Sequence, residues 1–423
     1  MKDKTSCQRQ DDADRLRGLR DQFQLNDGEI YLDGNSLGVL PRATAARVQQ
    51  TVAQEWGQGL IRSWNDAGWI DLPQRLGDKI ARLVGAARGE LVVADSTSVN
   101  LYKVMSAALG LVAADAPGRT RPGRTRILSE RSNFPTDLYI AEGLARQHGM
   151  TLELLEPDEI PDQLDDRVAV LMLTHVNYRT GRMHDMAALT RAAHDVGALA
   201  VWDLAHSAGA VPVDLNGAGA DFAVGCGYKY LNGGPGAPAF VWAHARHADR
   251  MHQPLSGWMG HAAPFQFTPD YQPAPGIDRY LCGTPALLSM TALECGIDSV
   301  LAAEPLGGMQ ALREKSIALT GLFIELVEER CAGHGLTLVS PRDPALRGSQ
   351  VCFAREEGAY AIVQALIERG VIGDFRAPDV LRFGFTPLYT RYADVWEAVE
   401  RLHQVLAEGL WREARFQRLA AVT

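Results

Sequence analysis

Short apolar runs alternate with segments of helical spacing through the middle of the chain. The runs have the length and composition of buried strands and lie at 126–128, 168–173, 199–202, 222–224 and 239–242. Strands that alternate with helices form right-handed βαβ crossovers, so this pattern predicts an α/β fold with a mainly parallel sheet covered by helices. Ligands of such sheets bind beyond the carboxyl ends of the strands.

The pattern changes after residue 299. Helical spacing then dominates, with short apolar runs between the helices: 312–329, 361–369 and 394–410 are helical, and 336–339 and 351–353 are apolar. We therefore expect a large domain over 46–299 and a smaller α+β domain over 300–423. An N-terminal segment, 1–45, is expected to pack with the small domain.

Composition narrows the class of protein. The 423 residues are 46% hydrophobic and 22% charged, which is ordinary for a soluble enzyme with a large core. A net charge of −9 argues against a nucleic-acid partner. The first 20 residues lack an apolar signal region, and the run at 168–173 is too short to cross a bilayer. The expectation is a cytoplasmic protein without a membrane partner.

The cysteines, one histidine cluster and one Gly-, Pro- and Arg-rich segment are interpreted as structural features without a role in function. The six cysteines are scattered without a CxxC pair, which favours buried thiols in a reducing compartment. His244, His247 and His252 have no cysteine partner that would support a metal site, so no metal is expected and a solvated helix face is predicted. The segment 115–126, rich in Gly, Pro and Arg, is predicted to be an exposed loop.

The stretch 199–236 carries the clearest chemistry. Asp203 ends one apolar run, and Lys229 follows the next run just before a glycine-rich turn. A lysine that holds an aldehyde as a Schiff base, with a carboxylate that keeps a pyridine nitrogen protonated, is what pyridoxal 5′-phosphate (PLP) requires. A surface lysine and a helix-capping aspartate are the plain alternatives. The adjacent Tyr228, and His206 three residues after Asp203, favour the PLP interpretation.

Other segments supply the remaining parts of such a site. Thr97 and Ser98 stand before a helical pattern at 99–114, where free backbone N–H groups and hydroxyls bind phosphate, although ordinary capping explains them too. Phe134 is an aromatic platform for a ring, or a core residue. Trp258 and Thr284 lie in glycine-containing segments that are also compatible with plain loops. Arg382 is either a bidentate clamp for an α-carboxylate or a surface arginine.

Taken together, these segments resemble the kynureninase family, PLP enzymes of fold type I in the aminotransferase class V group. The specific motifs are GNSLG (34–38), STSVNL (96–101), NFPTD (133–137), THVNYRTG (174–181), SGWMGH (256–261) and RFGFTPLY (382–389), while DLAHSAG and YKYLNGGPG are typical of class V broadly. The resemblance covers nearly the whole chain. It implies a seven-stranded-type sheet in the large domain and a homodimer with active sites at the subunit interface.

The resemblance also implies residue roles. Lys229 is expected to bind PLP covalently. The other expected cofactor contacts are Thr97, Ser98, Phe134, Pro135, Thr136, Asp137, Thr174, Asp203, His206, Tyr228, and, from the partner subunit, Trp258 and Thr284. Arg382 corresponds to the carboxylate-binding arginine. The further substrate-binding residues implied are Asn35, Ser36, Trp64, Gly283 and Thr284.

The implied reaction is hydrolysis of L-kynurenine to anthranilate and L-alanine in tryptophan degradation. Lys229 removes the Cα proton while the cofactor ring, paired with Asp203, absorbs charge. Tyr228 is expected to donate protons in later steps, with a purely phosphate-binding role as the alternative. The indole of Trp64 offers an apolar wall, with no group placed to bind a hydroxyl on the aryl ring of the substrate. The expected preference is therefore for kynurenine over 3-hydroxykynurenine.

Two competing functions remain open on sequence alone. Cysteine desulfurases or selenocysteine lyases need a nucleophilic cysteine on a mobile loop, whereas Cys352 lies in an apolar run and Cys331 follows a helix. A non-catalytic PLP-binding regulator would be expected to carry a DNA-binding module or to lack a key residue. No appended basic domain is visible in this sequence, and every expected position is filled.

Overall fold

The computed structural model describes residues 3–114, 123–248 and 250–419. The α-helices are Lys4–Ala13 (α1), Arg42–Gln50 (α2), Ser63–Asp66 (α3), Leu72–Val84 (α4), Thr97–Ala114 (α5), Pro135–Gln147 (α6), Met186–Asp195 (α7), Leu287–Leu301 (α8), Gly308–Arg330 (α9), Ala359–Glu368 (α10) and Tyr392–Ala407 (α11). The strands are Ile30–Tyr31 (β1), Leu91–Val93 (β2), Arg126–Glu130 (β3), Thr151–Leu155 (β4), Val168–Thr174 (β5), Leu199–Asp203 (β6), Phe222–Gly225 (β7), Phe240–Ala243 (β8), Thr337–Leu338 (β9), Gln350–Ala354 (β10), Val371–Ile372 (β11), Asp374–Arg376 (β12) and Val380–Gly384 (β13).

A seven-stranded sheet forms the centre of the molecule. Its strand order is β2-β8-β7-β6-β5-β3-β4. The pairings from β4 across to β7 are parallel, whereas β8 pairs antiparallel with both β7 and β2. The predicted α/β fold with a mainly parallel sheet is confirmed. The carboxyl ends of β3, β5, β6 and β7 consequently meet at one edge.

The central strands β5 to β8 are almost entirely apolar because both of their faces are buried. In β6, Ala200 and Trp202 belong to one core while Val201 belongs to another. Successive residues of a strand point to opposite faces, and helices cover both faces here. Helix α5 packs on one face, and helices α4 and α8 pack on the other. Both faces of the sheet are therefore buried at its centre, so the central strands show no alternation of apolar and polar residues.

A second core lies in the C-terminal part of the chain. Helices α9, α10 and α11 pack there with an antiparallel sheet of order β12-β13-β10-β9. Cys7, Ile30 and Leu32 belong to this core, whereas Leu16 and Phe23 belong to the larger one. The division of the chain into domains at 45 and 299 stays a prediction.

Helix α5 is the one described helix that is long and apolar enough to span a bilayer by length and composition. Half of its residues are buried inside the protein, and core helices of soluble proteins pass the same test. The predicted loop at 115–126 mostly falls outside the described residues, and Arg126 already belongs to β3.

The histidines near residue 247 differ from the sequence prediction. His247 is buried, its ring stacks on Phe222 at 5.4 Å, and its Nε2 lies 2.8 Å from Asp221 Oδ1. The solvated helix face is therefore wrong for His247, because Asp221 supplies a buried polar partner that the local sequence does not reveal. Within the described residues, no group of three or more His, Cys, Asp or Glu is placed to hold a metal ion.

Candidate active site

The carboxyl ends of the parallel strands deliver polar side chains into one cavity. Thr174 ends β5, Asp203 ends β6, and Lys229 follows β7. The cavity measures about 130 Å³ and is lined by Ser96, Thr97, Ser98, Phe134, Asp137, Thr174, Tyr178, Asp203, Ala205, His206, Tyr228 and Lys229. Nine of the predicted site residues thus meet where open α/β sheets bind ligands.

Lys229 supplies a partly buried amine to this cavity. Its Nζ lies 2.9 Å from His206 Nε2 and 6.0 Å from the centre of the Phe134 ring. Burial lowers the pKa of the Lys229 amine, while Cys226 and Asp203 act in the opposite direction. The amine therefore releases its proton more readily than an exposed lysine, as a nucleophile or base must.

Asp203 and Asp137 form a pair of buried carboxyl groups. Asp203 Oδ1 accepts a hydrogen bond from the Ala205 backbone N–H at 2.7 Å, and Thr174 donates to Asp137 Oδ2 at 3.3 Å. Burial raises the pKa of both carboxyls, and for Asp137 the charge of Asp203 adds to the increase. Repulsion between two adjacent buried carboxylates disfavours ionisation of both, so Asp137, whose pKa is raised by Asp203, holds the proton and donates it toward Asp203.

The N-terminus of α5 opens into the same cavity. Thr97 and Ser98 occupy the first turn, where backbone N–H groups lack helical partners and favour anions. The helix is preceded by Asp95, whose φ of +48° is left-handed. Fully buried Lys103 donates to the Asp95 carboxylate and, at 2.6 Å, to the carbonyl of Tyr280.

A larger cavity of about 550 Å³ adjoins the first. The two share Ser96, Thr97 and Tyr228 in their walls, and the larger one is also lined by Gly283 and Thr284. Lys103 therefore links two segments of the wall of this larger cavity. One acceptor, Asp95, lies just before the start of α5, and the other, the Tyr280 carbonyl, lies just before the Gly283–Thr284 turn.

Replacing Lys103 with methionine is expected to lower the free energy of unfolding by about 1–3 kcal/mol, since the buried Tyr280 carbonyl would lose its donor. Urea unfolding measures the change. The matched control is Lys79→Met, because the ion pairs of Lys79 with Glu294 and Asp298 lie near the surface. That control should change stability by less than about 1 kcal/mol. Equal losses in the two variants would contradict a special role for Lys103.

Arg382 is buried and already has strong partners. Its Nε donates to Asp374 Oδ1 at 2.8 Å, its Nη1 to the Tyr178 carbonyl at 2.7 Å, and its Nη2 to Ser36 Oγ at 2.6 Å. Arg376 also donates to Asp374, at 2.6 Å. The sequence alternative of a surface arginine is wrong, because Asp374 on the neighbouring strand β12 compensates the buried charge.

The GNSLG segment packs against the lysine from the other side. The N–H of Gly38 donates to the Tyr228 carbonyl at 2.8 Å, and a Cβ at Gly38 would lie 2.4 Å from the Lys229 carbonyl oxygen. Only glycine allows this close approach. In the same segment, Asn35 is buried with its side chain between Asp33 and Arg382, where it donates to Asp33 Oδ1 and accepts from Arg382 Nε.

The remaining predicted residues lie outside the 130 Å³ cavity. Pro135 and Thr136 begin α6 directly after Phe134. Trp64 and Trp258 contact each other edge to face at 6.5 Å, and Trp258 also contacts Phe265 and Phe267. Of the expected residues from a partner subunit, Thr284 lines the larger cavity together with Tyr228 of its own chain.

Three residues near the site were missed by sequence reasoning. Tyr178 lines the cavity and contacts Phe134 edge to face at 5.3 Å. Two further residues come from the C-terminal sheet: Asp374 contacts Arg382, and Gln350 contacts His206. Tyr178 lies inside the THVNYRTG motif and was within reach of inspection, whereas no local pattern marks Asp374 or Gln350.

Comparison with known proteins decides the family. The chain is 57% identical to the kynureninase of Pseudomonas fluorescens and 57% identical to that of Burkholderia pseudomallei, over the full length of both chains in each case. The chain belongs to the kynureninase family. A family model for the kynureninase C-terminal domain also matches residues 312–402.

Solved structures show how widely the fold of this kynureninase-family chain is shared. A cysteine desulfurase from Thermococcus onnurineus superposes with a TM-score of 0.77 at 19% identity, covering 92% of this chain and 98% of that one. A C-DES variant, solved with glycine covalently linked to its PLP cofactor, gives 0.76 at 15% identity over 91% and 98%. The predicted class V fold is therefore confirmed, and identities this low carry the fold alone.

The two cysteines considered above as candidate nucleophiles, Cys331 and Cys352, are both unsuited to that role in this kynureninase-family chain. Cys352 and Cys331 are buried, and burial raises the pKa of their thiols to about 11 and about 12. Such thiols stay protonated and are poor nucleophiles at neutral pH. Both therefore lack the exposure and ionisation that a desulfurase requires.

Proposed function

We propose that this protein is a PLP-dependent kynureninase, which hydrolyses the Cβ–Cγ bond of L-kynurenine to give anthranilate and L-alanine. The convergence of Lys229, Asp203 and His206 at adjacent strand ends supports the proposal, in a chain 57% identical to named kynureninases over full length. 3-Hydroxykynurenine is proposed as the poorer substrate.

The donor set of the 130 Å³ cavity fits PLP. A lysine amine of lowered pKa faces a buried carboxyl pair, and the free N–H groups of α5 offer a phosphate site beside them. When bound, PLP supplies an electron sink for charge that develops at the Cα of an amino acid. Lys229 would hold it covalently, and Asp203 would pair with its ring nitrogen. Phe134 and Thr174 would bound its ring.

Lys229 and Tyr228 have suitable atoms for the proton transfers. Released from the cofactor, the Lys229 amine would take the Cα proton, since its pKa is lowered by burial. Burial raises the pKa of the Tyr228 phenol above its ordinary value of 10, so the hydroxyl keeps its proton at neutral pH. Tyr228 Oη is therefore proposed as a proton donor in later steps and not as a base.

Arg382 and Ser36 would bind the substrate carboxylate. Because Asp374 already occupies one edge of the guanidinium, the carboxylate would approach from the side of Ser36, whose hydroxyl bonds to Arg382 Nη2. Trp64, Gly283 and Thr284 would bound the aryl ring. The Trp64 indole is proposed to present an apolar wall that would not favour a 3-hydroxyl group.

We also propose a cytoplasmic homodimer with shared active sites. Phe267, which contacts Trp258, is 74% exposed, and Ile61, three residues before Trp64 in sequence, is 77% exposed. Exposed apolar surface of this kind suits a protein partner. Within each subunit we propose an N-terminal segment at 1–45, a large domain at 46–299 and a small domain at 300–423.

One assay tests the function. Purified protein is given PLP and then L-kynurenine, while visible absorbance and anthranilate fluorescence are followed together. We expect a band from lysine-linked cofactor and rising anthranilate, with lower kcat/KM on 3-hydroxykynurenine. A band without anthranilate, or with sulfide released from cysteine, would contradict the proposal in favour of another class V reaction.

A further inference from the structure

Gln350 connects the two ends of the active site. It begins β10 in the C-terminal sheet and is fully buried. Its Oε1 lies 3.1 Å from His206 Nδ1, and its Nε2 donates to the Tyr178 carbonyl at 3.0 Å. The same carbonyl accepts from Arg382 Nη1, and His206 Nε2 lies 2.9 Å from Lys229 Nζ. One glutamine thus joins the contacts of the lysine to those of the arginine.

The surroundings of Gln350 fix the direction of its amide. Its Nε2 faces two backbone carbonyls, that of Tyr178 at 3.0 Å and that of Asn177 at 3.4 Å. If the amide were reversed, its oxygen would face the carbonyl oxygens of Asn177 and Tyr178. Three buried hydrogen-bond acceptors would then lie together without a donor between them. Burial makes such an arrangement costly, so the NH₂ group points to the carbonyls and the oxygen points to His206.

The amide direction in turn fixes the imidazole. An oxygen opposite Nδ1 requires that Nδ1 carry the hydrogen, so in the neutral ring Nε2 carries the lone pair. The ring is neutral because burial, together with the charges of Arg382 and Arg376, holds the pKa of His206 well below 6.5. We propose that Gln350 is a positioning residue that holds His206 as the Nδ1–H tautomer, so that Nε2 accepts a hydrogen bond from Lys229 Nζ.

This arrangement has a geometric consequence for Lys229. A neutral amine that donates one hydrogen to His206 Nε2 directs its lone pair away from the imidazole. The side chain then has one preferred orientation in place of free rotation about its last bond. For catalysis the consequence rests on the proposed function, in which that lone pair takes the Cα proton. The tautomer itself is a property of the chain and does not depend on the reaction.

Nitrogen-15 NMR of the full-length protein, labelled at histidine, tests the inference with and without PLP. The His206 signals are assigned by their loss in His206→Gln. In the unsubstituted protein we expect Nδ1 to be protonated and Nε2 to be unprotonated near neutral pH. A protonated Nε2 with a bare Nδ1 would overturn the proposal, and this measurement needs no variant at Gln350 that must fold.

The variant Gln350→Met then tests the cause. Methionine has a similar length, accepts only weakly from Nδ1 and cannot donate to the Tyr178 carbonyl, so we expect a mixture of tautomers and a kcat about tenfold lower. The matched control is Gln364→Met, a partly buried glutamine on α10, which should leave the His206 signals and kcat unchanged. An unaltered tautomer in Gln350→Met would overturn the proposal. If the unsubstituted protein forms no anthranilate, the proposed function fails while the tautomer result still stands.

Discussion

The variant Lys229→Ala is expected to lose kynurenine hydrolysis by a factor of at least about 10³. Two contributions vanish together, because the same amine is proposed to anchor the cofactor and to take the Cα proton. The pocket around it should persist, since Phe134, Asp203 and Thr97 are held by their own strands and helices. The variant should therefore fold and still bind PLP without a covalent link.

Anthranilate fluorescence measures the loss, and borohydride reduction followed by peptide mapping measures the covalent link. The unsubstituted chain should carry reduced cofactor on the peptide that contains Lys229, and the variant should carry none. Lys79→Ala is the control, because that lysine lies in ion pairs between α4 and α8 outside the cavity. Cofactor that stays covalently attached in Lys229→Ala would contradict the assignment of this lysine.

The fold could be predicted largely because its strands are buried on both faces. Runs such as 168–173 are then uninterrupted by polar residues, and the structure places β5 at Val168–Thr174. The strands that the sequence did not reveal include the edge strand Thr151–Leu155 and two very short strands, Ile30–Tyr31 and Val371–Ile372, which pair with each other. Two residues carry no periodicity, so their pairing is set by tertiary contacts alone.

The centre of the site could be predicted because its residues follow strands in sequence. Asp203 and Lys229 were recognisable because each follows an apolar run directly, and the sheet edge then brings them together. Gln350 contacts His206 across 144 residues of sequence, and a glutamine at the start of a strand has no chemical signature of its own. The partner of Arg382 was missed for a related reason. Asp374 lies only eight residues away, yet it reaches the guanidinium through pairing of β12 with β13.

Asp203→Asn should be far more damaging than Asp137→Asn, although both carboxyls are buried in one cavity. Asp137 holds the shared proton, because burial and the charge of Asp203 raise its pKa well above 3.8. An asparagine amide imitates that neutral, hydrogen-donating group. Asp203 is the member expected to stay charged against the cofactor ring nitrogen, and a neutral amide cannot supply that charge. We expect kcat to fall about 10³-fold in Asp203→Asn and less than about tenfold in Asp137→Asn.

Steady-state anthranilate formation at saturating PLP compares the two variants, and thermal unfolding of each checks that the fold is kept. The comparison is well matched, because both changes replace one carboxyl oxygen by NH₂ in the same cavity. They differ only in which of two coupled groups loses the ability to ionise. A larger loss in Asp137→Asn would reverse the assignment and would make Asp137 the charged partner of the cofactor. Equal losses would mean that neither carboxyl holds the proton alone, and that the pair acts as a single acid.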